Sequence, residues 1–206
     1  MDKRIVLPGE MVLDKPLRAE GTFVEGGKTF ASVLSLFSGD KVIPLKGKYV
    51  PNYGDYVVGI VKEELFSGYV IDLNSPYEGK LSTKDTREEF RVGDVVSVKI
   101  MAVDEVNNAM VVEPRRLVGG EILEIESVKV PRVIGRNGSM LQMLQEATGS
   151  EIFVGKNGRI YLKGGNSHLA SLAIMKICRE AHTSGLTDRI QAFLRAEAAS
   201  GNGFRK

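Results

Sequence analysis

Cysteine is nearly absent: Cys178 stands alone in 206 residues, which excludes an internal disulfide and leaves core packing on the inner face of a helix as its expected role. Histidine is almost as scarce. His168 and His182 lie fourteen residues apart and supply none of the paired ligand spacings of a zinc site. Neither a glycine-lysine P-loop nor a G-x-S-x-G elbow is present, and the carboxylates are scattered at strand ends and on helix faces, where solvation is their ordinary reason. Neither an intrinsic activity nor a metal or cofactor is therefore expected. Long apolar runs are lacking too: none approaches the roughly 20 residues that cross a bilayer. The start, Met1-Asp2-Lys3-Arg4-Ile5, has no long apolar segment of the signal-peptide kind. A cytoplasmic protein without membrane contact is the expectation.

Charge of one sign is also in short supply, with a net value of +2, so composition alone does not announce a polyanion as partner. Lys and Arg number 8 against 6 Asp and Glu in residues 1–53, 8 against 12 in 54–118, and 12 against 8 in 119–206. The acidic middle can meet an anionic chain only through a local basic or aromatic patch. With 43% apolar and 26% charged residues, the chain has an ordinary globular composition and room for two or three small domains.

The most informative stretch is Val133-Ile134-Gly135-Arg136-Asn137-Gly138-Ser139-Met140-Leu141. Two glycines around two polar residues let the backbone turn tightly and enter a helix, whose first N–H groups have no partner inside the helix and favour an anion such as phosphate. Arg136 adds a mobile charge. The tetrapeptide reads equally as an ordinary turn before a helix, so its surroundings matter. A strand is expected over 125–130, then an apolar helical row at Met140, Leu144 and Ala147 with Leu141 and Thr148 beside it. Two short strands follow over 151–155 and 159–163, split by a Lys156-Asn157-Gly158 hairpin turn. A helix then opens at Asn166 or Ser167 with Leu169, Leu172, Ala173 and Ile177 inward. That order resembles the K-homology fold over residues 119–181, with Ile134 and Leu141 at the usual apolar positions and Asn137 departing from the basic or small residue many such loops carry. The resemblance implies that Gly135, Arg136, Asn137 and Gly138 clamp about four nucleotides of single-stranded nucleic acid. Beyond it, Gly185 breaks the chain and Thr187 caps a last helix with Ile190, Phe193, Leu194 and Ala198 as its apolar stripe, before a flexible basic tail over 200–206.

Residues 1–53 read as all-β. Strands over 22–24 and 29–37 flank a Glu25-Gly26-Gly27-Lys28 turn, Ser38-Gly39-Asp40 turns the chain before a strand at 41–43, and Pro8-Gly9 marks an earlier turn. So small a sheet needs a neighbour to cover its apolar face. Pro51-Asn52-Tyr53-Gly54-Asp55 is a natural boundary, followed by five strands over 56–62, 68–73, 79–82, 94–103 and 109–113, a short helix over 84–90 and a turn at Val106-Asn107-Asn108. Five short strands and one small helix point to a closed Greek-key barrel of the oligonucleotide-binding (OB) type. The runs Ser67-Gly68-Tyr69-Val70-x-Asp72-Leu73 and Phe90-x-Val92-Gly93-Asp94-x-Val96-x-Val98-Lys99 resemble the S-one RNA-binding domain, while residues 74–81 depart from its pattern.

In such barrels bases stack on exposed aromatics and basic side chains follow the phosphates. The resemblance places Tyr69 on the binding face, and Tyr77, Lys80, Lys84, Arg87 and Arg91 lie close by in sequence. Two readings stand for each: a strand tyrosine is also a core residue, and 84–91, with Asp85, Glu88 and Glu89, is also a solvated helix face. The expected architecture is multidomain: a small all-β N-terminal domain (1–53), a five-stranded OB-type barrel (54–118), an α+β K-homology domain with a C-terminal helix (119–199) and the tail (200–206). This order, with Leu7-Pro8-Gly9-Glu10 near its start, resembles the RNA-binding cap subunits of the archaeal exosome over residues 6–199. The resemblance implies a non-catalytic subunit that anchors through 1–53 to a hexameric ring of ribonuclease-PH-like subunits, three caps to a ring. Single-stranded RNA would pass it, 3′ end first, toward phosphorolytic sites in the ring. It also implies that a G-x-N-G loop, the form of Gly135-Arg136-Asn137-Gly138, packs on the barrel or meets RNA. Transcription elongation and termination factors combine the same modules but typically with two K-homology domains in series. Polynucleotide phosphorylase has them in the opposite order, behind two large catalytic domains that this chain lacks.

Overall fold

The computed structural model describes residues 3–17, 19, 21–38, 41–45, 47–181, 183 and 185–201. Two compact units divide the chain, Met1–Lys48 and Tyr49–Lys206. In the first, β1 (Lys3–Val6), β5 (Ser35–Ser38) and β6 (Lys41–Pro44) form one antiparallel sheet in the order β1-β5-β6, and β2 (Met11–Leu13), β3 (Thr22–Glu25) and β4 (Lys28–Ala31) form another in the order β2-β4-β3. The single strand expected over 29–37 is thus two strands in different sheets. Ala31 closes the first by accepting from the Gly9 N–H (2.7 Å) and donating to the Glu10 carbonyl (3.0 Å), and the chain departs at Ser32. The core is small, Val6, Val12 and Ala31 with Leu13, Phe37 and Val42 against them. Ile5, Leu7, Met11, Phe23 and Ile43 are left exposed. Of the turn expected at 38–40, Gly39 and Asp40 lie outside the described residues.

The second unit opens with Tyr49, whose ring joins the barrel core. Its hydroxyl donates to Asp55 (2.7 Å) and its carbonyl accepts from Ser75 (2.8 Å), so this unit begins a few residues ahead of the boundary expected at 53. Strands β7 (Tyr56–Leu65), β8 (Gly68–Asp72), β9 (Glu78–Ser82), β10 (Val95–Val103) and β11 (Ala109–Arg116) close a barrel in the order β10-β11-β9-β8-β7, all pairs antiparallel except β9 with β11. Alternate residues point inward, and Val57, Val61, Ile71, Leu81, Val96, Val98 and Ile100 fill the interior. The helix expected over 84–90 is a single 3-10 turn, Thr83–Asp85. Past it the Thr86 hydroxyl takes the Glu88 N–H (3.0 Å) that a helix would have used, and Phe90 is drawn into the core.

The remainder comprises β12 (Glu121–Glu124), α1 (Val130–Ile134), α2 (Ser139–Thr148), β13 (Glu151–Val154), β14 (Arg159–Lys163), α3 (Ser167–Glu180) and α4 (Leu186–Gly201), with a sheet ordered β12-β14-β13. The first strand lies earlier than the expected 125–130, because Pro131 favours the opening turn of a helix and has no N–H for a ladder. On α2 the buried row is Met140, Leu144 and Thr148, four residues apart, which turns Ala147 outward. On α3, capped by Asn166 accepting from the Leu169 N–H (3.0 Å), the inner face is Leu169, Ala170, Ala173, Ile174 and Ile177, and Leu172 is exposed. Cys178 packs partly buried against this core, and burial pushes its thiol pKa up. Helix α4 starts at Leu186, so Thr187 lies inside it; Leu186, Ile190 and Leu194 are buried and Phe193 packs beside them. The side chain of Ala198, the whole of His182 and residues 202–206 of the expected tail lie outside the described residues, while Ser200 and Gly201 belong to α4. Among the described residues no helix is long and apolar enough to cross a membrane.

Candidate nucleic-acid interface

Tyr69 on β8 is 7% exposed. Its ring meets Phe90 edge-on with centroids 5.5 Å apart, and its hydroxyl oxygen accepts from the Phe90 N–H at 3.3 Å. The core reading therefore prevails, and the ring has no free face for a base. A free aromatic of the barrel is Phe66, fully exposed in the two-residue Phe66-Ser67 turn between β7 and β8. Sequence reasoning passed over it; the signal was its position, since an aromatic at the tip of a two-residue hairpin has no core within reach. Beside the hairpin lies a groove of about 420 Å³ lined by Leu65, Tyr69, Leu81, Met101, Met110 and Val111, with Lys80 and Lys84 among its lining residues. Both lysines are exposed and have no ion-pair partner among the described residues. An apolar floor, two free cations and an unoccupied ring can stack an unpaired base and hold its phosphates.

The other barrel candidates lie elsewhere. Arg87 and Arg91 line a separate cavity of about 700 Å³ with Arg116 and several carboxylates. Tyr77, half-buried, lines a third hollow of about 380 Å³ with Ile60, Lys62, Asp72, Pro76 and Glu78. There Lys62 donates to Glu78 (2.6 Å), and that hydrogen bond raises the ammonium pKa.

In the loop between α1 and α2, Gly135, Asn137 and Gly138 all have positive φ (75°, 52° and 79°). Gly135 is required for space as well, because a Cβ there would sit 2.7 Å from the backbone nitrogen of Met140. Arg136 and Asn137 are exposed, with no side-chain hydrogen bond or ion pair among the described residues. Gly138 precedes α2 without a side-chain cap, and the Ser139 N–H that opens the helix donates to the Arg136 carbonyl.

A second G-x-N-G stands in the β13–β14 turn, Gly155-Lys156-Asn157-Gly158, and it is buried in the barrel. Asn157 is 1% exposed. Its Oδ1 accepts from the Val58 N–H (3.3 Å) while its Nδ2 donates to the carbonyls of Val58 and Leu73 (both 2.8 Å). The amide therefore makes with Val58 the exchange of bonds that a paired strand would make. The Lys156 N–H donates to the Tyr56 carbonyl (2.9 Å). Arg159, 5% exposed, donates to the Asp72 carbonyl (2.9 Å) and carboxylate (2.6 Å) and to Glu124 (2.8 Å). Burial disfavours its charge, but the hydrogen bonds to both carboxylates outweigh that and its pKa is raised.

Residues 120–178 match the KH domain family. Exosome complex component Rrp4 of Methanothermus fervidus is 40% identical over 94% of this chain and 96% of its own length. The Rrp4 components of Pyrococcus abyssi and Methanosarcina barkeri are 38% and 41% identical, over 94% and 96% of this chain and 83% and 84% of theirs. The chain belongs to the exosome Rrp4 family. A solved chain described as an exosome complex RNA-binding protein superposes with a TM-score of 0.68 at 38% identity, covering 74% of this chain and 98% of that one. In this member of the Rrp4 family the two G-x-N-G segments have separate places: 155–158 is the one that packs on the barrel, and 135–138 keeps its polar side chains exposed.

Proposed function

We propose that the protein is a non-catalytic RNA-binding cap subunit of an archaeal-type exosome, capturing single-stranded RNA and passing it to ribonuclease-PH-like subunits. Three copies would sit on a hexameric ring in the cytoplasm. The observation that carries the RNA contact is Phe66, fully exposed beside an apolar groove edged by Lys80 and Lys84, which have no ion-pair partner among the described residues. The exposed loop Gly135-Arg136-Asn137-Gly138 offers a second contact, for phosphate. The unit Met1–Lys48, with a small core and exposed Ile5, Leu7, Met11, Phe23 and Ile43, fits a role as the anchor on the ring. Membership of the Rrp4 family and a single KH match disfavour a transcription elongation or termination factor.

The test is titration of the full chain with end-labelled single-stranded RNA. Phe66→Ala should weaken binding by about 1–3 kcal/mol, the worth of one stacked base. Removing Lys80 and Lys84 should lower the salt slope by about 2. Wild-type affinity in Phe66→Ala, with an unchanged salt slope on removing both lysines, would contradict the assignment of this face. The chain alone should leave the RNA intact in phosphate and Mg²⁺; shortening that survives rigorous purification would contradict the non-catalytic reading.

A further inference from the structure

We infer that the cavity of about 700 Å³ between the β7–β8 hairpin and the β9–β10 connection takes one unpaired nucleobase of single-stranded RNA, stacked on the guanidinium of Arg116. The inference rests on the proposed RNA binding. Arg116 is held from three directions: Nη1 lies 3.1 Å from the Asp94 carboxylate, Nη2 donates to the Glu89 carbonyl, and Cζ sits over the Phe90 ring, 5.2 Å from its centroid. Asp94 is itself fixed by the Arg91 N–H (2.7 Å), and Phe90 is locked against Tyr69. Tyr69, Phe90 and Arg116 thus form a packed series whose last member is 34% exposed and lines the cavity. A planar guanidinium with one side on a ring presents its other side as a platform for a base. Because it is already immobilised, little rotamer entropy remains to be lost on binding.

Charge decides between a base and a phosphate inside the cavity. Four carboxylates, Glu64, Glu88, Glu89 and Asp94, line it against three guanidiniums, Arg87, Arg91 and Arg116. A phosphate would enter a site with an excess of negative groups. The amino and imino donors of a base edge meet acceptors there instead. Arg87 and Arg91, exposed and without ion-pair partners among the described residues, are left for phosphates at the lip. The volume is that of an ordinary small-ligand site. The cavity shares Tyr69 and Thr83 with the groove beside Phe66, so a strand crossing one reaches the other.

Two readouts on the full chain test this, using a single-stranded RNA oligomer of mixed sequence. In ¹⁵N-arginine spectra the Arg116 Nε–Hε signal should shift on titration and saturate with binding. Arg116→Lys, which keeps the charge and loses the plane, should bind about 5-fold or more weaker, the lower end of one stacked base, with its salt slope unchanged. An unmoved Arg116 signal at saturation, or wild-type affinity in a folded Arg116→Lys, overturns the base site. It does so without touching the Phe66 contact, which Phe66→Ala reads separately. Absence of any RNA binding by the wild type overturns both. Where Arg116→Lys fails to fold, the wild-type spectrum alone decides.

Discussion

At the scale of single residues, the barrel turns on which of two neighbouring aromatics has a free face. Tyr69 and Phe66 are three positions apart, yet one is locked against Phe90 and the other stands in a turn. Their truncations should therefore separate. Tyr69→Ala should cost about 3 kcal/mol or more of stability, as for a large buried ring. Phe66→Ala should leave the denaturation midpoint near wild type and weaken RNA binding. Urea unfolding and RNA titration on the same samples check the pair, and the opposite assignment of losses would return the stacking role to Tyr69. Type and spacing were legible in the sequence here. The burial of Tyr69 was not, because Phe90, which covers it, arrives from another part of the chain.

Among the elements, the strands of the barrel and the helices after it were readable from period-2 and period-3.6 patterns, because each buries one face and the pattern follows the face. The misplacements have local causes. Thr86 diverts a backbone donor in the stretch expected to be helical, and a 3-10 turn at Ser127–Lys129 leads out of the stretch expected to be a strand into a helix that opens at Val130, just before Pro131. The docking of the β13–β14 turn into the barrel had no local signal. Asn-Gly there reads as a hairpin turn, and the bonds from Asn157 to Val58 span 99 residues of sequence. Asn157→Ala should leave buried backbone groups of Val58 and Leu73 without partners, a cost of about 1–3 kcal/mol for each such group. Chemical denaturation should then show a lowered midpoint, with the barrel and the KH segment separating into two transitions; a single unchanged transition would contradict the account of this contact. The joint of α3 and α4 carries a pH-dependent tie. Glu180 accepts from Lys176 (2.7 Å) and Arg189 (2.7 Å), and these bonds hold its pKa below the ordinary carboxylate value. A lowered folded-state pKa means that the tie is intact above the unfolded-state pKa and is lost as pH falls through the folded one. Glu180→Gln should therefore lose stability at neutral pH and converge on wild type at acid pH. Melting curves across that range test it, and parallel curves would refute it.

Over the whole molecule, a small β unit ends at Lys48 and a larger unit follows, in which the barrel and the KH segment are joined by buried hydrogen bonds. Tyr49 belongs to the second unit, so the cut that preserves the barrel falls after Lys48. The composition foretold neither the division nor the proposed partner: a net charge of +2 is uninformative, and the order of modules carried the reading. The most direct measurement is the native mass and composition of the species purified through a tag on this chain from its own cells, compared with the same purification of residues 49–206. The full chain should emerge in an RNA-degrading complex many times its own 22.5 kDa, together with ribonuclease-PH-like subunits, and residues 49–206 should emerge folded but alone. A full chain recovered only as a free 22.5 kDa protein, with no such subunits beside it, would contradict the proposed role.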